Sequence, residues 1–266
     1  GPAMDQQIIY NLFTNCINAA KTLNSDHDFS RKISSLRKKL MPTKIGPDGR
    51  ILEWSKPLKE ADPAHRHVSH MFALYPGKQI NPDQTPKLAK AAQKTLLIKN
   101  QYTKGSGPGW SHAFKAGCFA RLYDHKNALT ELNFLLKNNI QPNLFNKGVN
   151  FQIDANFGAT AAIAEMLLKN KNSQIHLLPA LPENWPRGKI TGLKTFQGHT
   201  IDLFWKNRKL TKAVLHAKAD TSLTIRTKIK LKLQNTSQSK TARISDDYTI
   251  TFTASKNKTY YLLPHN

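Results

Sequence analysis

Residues 62 to 77 read DPAHRHVSHMFALYPG, which sets His65, Arg66, His67 and His70 directly ahead of the apolar Met71, Phe72, Leu74 and Tyr75. Three readings fit that composition: a metal site, a polar pocket for a ligand, or a hydrated helix end without function. A helical zinc motif needs two ligands at i and i+4 on one face. These histidines stand at i, i+2 and i+5 with no acid among them, so only His67 and His70 could share a face. No CxxC pair accompanies them, and no metal is expected. If the segment is helical from Pro63, Arg66 and His67 sit in its first turns near free N–H groups, where a guanidinium and an imidazole suit a hydroxyl-rich or anionic ligand.

Asp154 is the second candidate. It lies in NFQIDANFGATAAIAEMLL among Phe151, Ile153, Ala155 and Phe157. A carboxylate flanked by aromatics is expected to lose part of its hydration, which suits it to general base work. The competing reading is that Asp154 or Asn156 only caps the apolar helix that follows. The third is Trp110 in GSGPGWSHAFKAG, a glycine-rich turn leading into a helix. Neither GxxxxGK[ST] nor GxGxxG is present, so a nucleotide cradle has little support. An indole there serves either as a platform for a sugar ring or as part of the helix core.

These residues must be held by helices in the first two-thirds of the chain. Ile8, Ile9, Leu12, Phe13, Cys16, Ile17 and Ala20 form one stripe over residues 5 to 22, and Phe29, Ile33, Leu36 and Leu40 form another over 27 to 40. Asp62 and Pro63 signal a helix start and Gly77 a stop, which predicts a helix across 63 to 77. Thr85 and Pro86 repeat the start signal for a helix to about Asn100, and further helices are expected at 110 to 122, 126 to 138 and 157 to 169. KIGPDGRILEW reads as a turn between two extended pieces. About seven helices result.

Beyond IHLLPALP the period becomes alternating. In LTIRTKIKLKL, Leu223, Ile225, Ile229, Leu231 and Leu233 face one way and Arg226, Lys228, Lys230 and Lys232 the other, as in a half-buried strand. Short runs at 200 to 205, 212 to 217, 248 to 253 and 258 to 263 complete a small antiparallel β domain. The expected organisation is α+β, with a helical domain over 1–172 and a β domain over 173–266.

Composition narrows the partners. With 266 residues, 39% of them hydrophobic and 21% charged, the chain can bury a substantial core. No run of about 18 apolar residues suggests a membrane span, and the N-terminus lacks a basic-then-apolar leader pattern. A formal charge of +23 favours polyanions in general. Lys, Asn and Ile are all plentiful, however, and a lysine row on a strand also guards against edge pairing. No specific nucleic-acid partner and no membrane are expected. Cys16 and Cys118 read as free thiols, Cys16 on the apolar side of its helix.

EW, DPAHRHVSHMFALYPG, GPGWS, FQIDANFG, AEMLL and IHLLPALPENWPRGKITGLKTFQG occur in that order. The succession resembles glycoside hydrolase family 95, inverting α-L-fucosidases and α-L-galactosidases. The resemblance implies part of an (α/α)6 toroid followed by a C-terminal β domain, no cofactor, and a fucosylated oligosaccharide or glycan as substrate. By motif, Asp154 corresponds to the aspartate that helps activate the attacking water, Arg66 and His67 to residues that hold the sugar, and Trp110 to a pocket wall. The family's glutamate general acid and water-positioning asparagine pair belong to motifs upstream of this sequence. About seven helices supply only part of a ring, so the expected product is a fragment, inactive or nearly so alone, with an open helical edge for a second copy or a partner chain. A bacterial secreted or cell-surface location is expected over a cytoplasmic one. Two departures stand out: SKPLK follows Glu53 and Trp54 in place of an acidic stretch, and Ala155 stands where glycine is usual, which is expected to crowd the backbone near Asp154.

Overall fold

The computed structural model describes residues 1–148, 151–171, 173–234 and 239–265. It divides into two compact units, Gly1–Leu122 with Glu131–Ala159, and Tyr123–Thr130 with Thr160–Asn266. Among the described residues there are six α-helices: α1 (Ala3–Leu23), α2 (His27–Lys38), α3 (Pro86–Thr103), α4 (Gly109–Arg121), α5 (His125–Asn138) and α6 (Asp154–Leu167). They do not close into a barrel.

Local chemistry accounts for most of their boundaries. Asn24 adopts the left-handed conformation, with φ of 51°, and its N–H closes on the Ala20 carbonyl to end α1. Pro86 opens α3, where its missing N–H costs nothing. The turn at Pro47–Gly49 brings Ile45 and Ile51 into an antiparallel bridge, with Gly49 at a φ of 77° that a side chain would resist.

The helix expected over 63–77 does not form. Asp62 spends its carboxylate on the Ala64 N–H at 2.9 Å, and the His65 ring accepts from the His67 N–H at 3.3 Å. These local bonds compete with a helical ladder. Only a 3₁₀ turn, Ser69–Met71, remains. The apolar residues are buried all the same, Met71 and Leu74 fully, with Leu96, Phe119 and Leu135. Gln7 of α1 fastens the segment, donating to the His70 carbonyl at 3.0 Å and accepting from the Ala73 N–H at 2.9 Å.

A buried polar cluster ties α3, α4 and the later part of α5. Glu131 accepts from Asn100, lies 2.7 Å from the His112 ring and 3.2 Å from the Lys115 ammonium. Both thiols are free: Cys118 is buried, which pushes its thiol far up, and Cys16 is half-buried. The α1 stripe is only partly covered: Ile8 and Leu12 are exposed, Ile9, Phe13, Cys16 and Ile17 half-buried and Ala20 buried, while Leu23 after them and Phe29 and Leu36 on α2 are exposed.

The second unit contains two five-stranded sheets. Their strands are β1 (Leu168–Lys171), β2 (Gln174–Leu177), β3 (Arg187–Lys194), β4 (Thr200–Lys206), β5 (Lys209–His216), β6 (Thr221–Thr227), β7 (Leu231–Gln234), β8 (Lys240–Ile244), β9 (Asp247–Ala254) and β10 (Thr259–Pro264). The orders are β1-β2-β6-β9-β8 and β3-β4-β5-β10-β7. The β2–β6 pairing is parallel, so the first sheet is mixed rather than wholly antiparallel. LTIRTKIKLKL is also not one strand. It breaks after Thr227 and sends β6 and β7 to different sheets. Leu223, Ile225 and Leu231 still reach one core, because the two-residue alternation survives the break. The basic row is partly neutralised: Asp247 pairs with both Arg226 and Lys228.

Candidate functional site

Trp110 lies in the first turn of α4 and Asp154 opens α6, where the positive end of the helix dipole favours a carboxylate. Arg66 and His67 belong to the irregular turn ahead of the 3₁₀ segment. The four side chains line one hollow of about 830 Å³, together with Asn139, Asn146 and Gln152. All of these residues belong to the first unit.

Close approach at Gly109 brings the parts together. A Cβ there would collide with the Asn146 Oδ1 and come within 3.0 Å of the Ala155 Cβ and 3.2 Å of the Asn139 Cβ. Ala155 is fully buried against this point. The crowding expected from Ala155 is thus absorbed by the missing side chain of Gly109. The Ser111 hydroxyl donates to the Arg66 carbonyl at 2.7 Å, which pins the Arg66 turn to α4.

His67 stacks at 5.0 Å on His65 and packs at 4.8 Å against Trp110. Partial burial, then the neighbouring His65 and the Arg66 charge, hold its pKa below the ordinary histidine value. The ring is therefore neutral near pH 7, with one nitrogen to donate and one to accept. Trp110 is half-buried with a face on the hollow, so it is not a helix-core residue.

Asp154 departs from expectation in its surroundings. It is exposed, and so are Phe151, Ile153 and Phe157, the last at 67%. Alternating apolar neighbours do not bury a residue when the chain starts a helix at that point and fans them outward. Nor is Asn156 a cap: its side chain accepts from the Asn146 N–H and donates to the Leu144 carbonyl at 2.6 Å, which holds the preceding loop.

Of the four histidine-segment residues only Arg66 and His67 line this hollow, while His65, His67 and His70 line another. His70 is buried, lines a different hollow and lies 3.9 Å from the Glu53 carboxylate. Among the described residues no three His, Cys, Asp or Glu side chains gather as metal ligands.

Asn139 and Asn146 were not legible as site residues. An isolated antiparallel bridge between Ile140 and Asn146 folds the loop back, and both Asn139 and Asn146 line the hollow. Their Oδ1 atoms are buried and make no hydrogen bond among the described residues. The only signal in the sequence was the density of Asn and Gln between the α5 pattern and Asp154.

Comparison with known proteins bears on this geometry. Residues 1–167 match the model of the glycosyl hydrolase family 95 catalytic domain, and residues 169–262 that of the glycoside hydrolase family 95 C-terminal domain. Alpha-L-fucosidase 2 of Arabidopsis thaliana is 37% identical over 222 residues, covering 78% of this chain and 26% of that protein. Two proteins named probable alpha-fucosidase A are also similar. The one from Aspergillus niger is 28% identical over 76% of this chain and 28% of its own length, and the one from Aspergillus oryzae is 29% identical over 77% and 32%. The chain thus spans about a quarter to a third of the length of these relatives.

Proposed function

Because the chain belongs to glycoside hydrolase family 95, we propose that it carries the base side of the sugar pocket of an inverting hydrolase releasing terminal α-linked fucose, or α-L-galactose, from a glycan. Asp154 takes the proton of the water that attacks the anomeric carbon. Arg66 and the neutral His67 hold ring hydroxyls, and Trp110 offers its face to the C–H side of the sugar. The observation that most supports this is that these four residues line one hollow, together with Asn139 and Asn146. The relatives named as fucosidases support fucose as the sugar.

Inversion also needs an acid on the leaving oxygen, typically about 6.5–9.5 Å from the base. The resemblance assigns it to an upstream glutamate motif that these 266 residues do not contain. Without it, hydrolysis by this chain alone should fall by about 10²–10⁴. Incubation with a fucosylated trisaccharide tests this: slow or no release of fucose is expected, and release at the rate of a full-length relative would overturn it. Titration with L-fucose tests the pocket. Binding that is weakened by Asp154→Asn supports the assignment, and binding indifferent to it does not.

A second reading is a non-catalytic module completed by a partner chain. The exposure of Ile8, Leu12, Leu23, Phe29 and Leu36 on the paired helices α1 and α2 favours it, since exposed apolar surface of this kind is what a contact with another chain would cover. Sizing and melting decide: self-association supports this reading, and a monomer with a cooperative melt counts against it.

A further inference from the structure

We propose that the outer face of the β3-β4-β5-β10-β7 sheet binds an acidic polysaccharide, a chain of pyranoses bearing carboxylates or sulfates. This does not rest on the reading of the hollow around Asp154. The five strands of the sheet carry seven Lys and Arg residues against a single acid, Asp202. Strand pairing gathers five of those cations into two adjacent rows. Arg187, Lys206 and Lys209 stand opposite one another across β3, β4 and β5, and in the next row Lys189 and Lys212 flank Phe204. A bulge between the rows places Thr211 as an extra residue on β5, so that Lys209 and Lys212, three apart, point to the same side. Strict alternation would have separated them. Lys212 is half-buried and the other four are exposed.

Like charges set directly opposite one another destabilise a sheet. On this face nothing offsets them. Asp202 is committed elsewhere: it accepts from the Gly192 N–H at 2.9 Å and lies 3.0 Å from the His216 ring. Glu183 pairs with Arg208 of the β4–β5 turn. Among the described residues none of the five cations forms an ion pair, whereas in the other sheet Asp247 takes both Arg226 and Lys228. Guarding an open edge accounts for cations on β3, which ends the sheet, but β4 and β5 are interior strands with no edge to guard. The charge of Lys206, Lys209 and Lys212 thus weakens the fold unless a bound polyanion neutralises it.

The layout favours a thin saccharide chain over nucleic acid. Neighbouring strands lie about 4.8 Å apart, so three cations in a row span about 10 Å, a path that one extended chain can follow. Single-stranded nucleic acid binds through a series of aromatic platforms as well as through charge. Here the Phe204 face is taken by the Lys212 ammonium, 4.4 Å from its centroid. Tyr261, exposed on β10 in the row beyond, offers one open ring, which serves the C–H face of a pyranose and is no series. A duplex is read by an element that enters its groove, and this is the broad side of a sheet.

Fluorescence anisotropy on the 266-residue chain tests this with labelled oligogalacturonate, neutral dextran and oligothymidylate of similar length, over about 50 to 200 mM salt. Lys206→Gln, Lys209→Gln and Lys212→Gln are combined in one variant. Lys87→Gln, Lys90→Gln and Lys137→Gln, on exposed lysines of α3 and α5, form a control that loses the same charge. Galacturonate binding is expected to weaken about tenfold in the first variant and less than about twofold in the control, with a shallower salt dependence in the first alone. Dextran should not bind. Equal weakening in both variants overturns the proposal, because the charge then acts diffusely, and so does galacturonate that fails to bind or dextran that binds as well. Oligothymidylate, or phosphatidylserine vesicles in a sedimentation assay, losing more affinity than galacturonate in the first variant assigns the face to nucleic acid or membrane and overturns the saccharide. If thermal melts show the triple variant unfolded, Arg187→Gln with Lys189→Gln on the edge strand carries the same comparison.

Discussion

The imidazole of His67 and the indole of Trp110 lie 4.8 Å apart, centroid to centroid, with their planes 46° from parallel. The pair joins the irregular 62–68 turn to the start of α4, so in the proposed pocket the polar ring and the apolar face are set against each other before a ligand arrives. Preorganisation of this kind lowers the ordering cost of binding.

Trp110→Ala should therefore weaken L-fucose binding by about tenfold, through loss of both the platform and the support of His67. Trp110→Phe should retain most of the affinity. An NMR titration that finds the two variants equal would remove Trp110 from the pocket.

Acid should destabilise the chain through His70. Burial holds its pKa down to about 4 in the fold, against about 6.5 for an ordinary histidine, so between those pH values the unfolded chain binds more protons than the folded one. Stability is then greatest above pH 6.5 and falls as pH drops through that window, by up to about 1.4 kcal/mol per pH unit. His70→Gln should flatten the dependence of Tm on pH from 6.5 to 4. A slope unchanged in that variant would assign the acid sensitivity elsewhere.

Gly109→Ala should cost about 1–3 kcal/mol, because its new methyl meets the Asn146 amide oxygen and the Ala155 methyl. Since those contacts hold the starts of α4 and α6 together, L-fucose binding should weaken as well. Adding Ala155→Gly should recover part of both losses. Denaturant melts and titrations of the single and double variants measure this coupling.

Glu131→Ala should be the most damaging single change among these, at about 3–5 kcal/mol, because it leaves the buried Lys115 without its counter-charge. Glu131→Leu with Lys115→Met should lose less than Glu131→Ala alone. A guanidinium unfolding series distinguishes the two outcomes.

Several elements were readable because short-range chemistry governs them. Thr85–Pro86 starts α3, and the period-two pattern of residues 200–263 yields strands that share a core. The 62–77 segment misled for the opposite reason. Its helix start signals are real, but Asp62 and His65 satisfy the backbone locally and stop the helix from growing. Asp154 misled because apolar neighbours in sequence imply burial only if the chain stays extended, whereas here they lie just before and within the first turns of a helix and remain exposed.

What the amino-acid order determined by itself is the succession of helices and then strands, the family pattern, and the residue types able to meet a sugar. These depend on periodicity, capping and motif, which act over a few residues. Only the tertiary structure decided that Asp154 is exposed, that His70 stays out of the hollow lined by Asp154 and Trp110, and that Asn139 and Asn146 join it. Those outcomes depend on contacts between segments far apart in the chain, above all the side-chain-free contact at Gly109, and no local pattern encodes which distant atoms will fill that space.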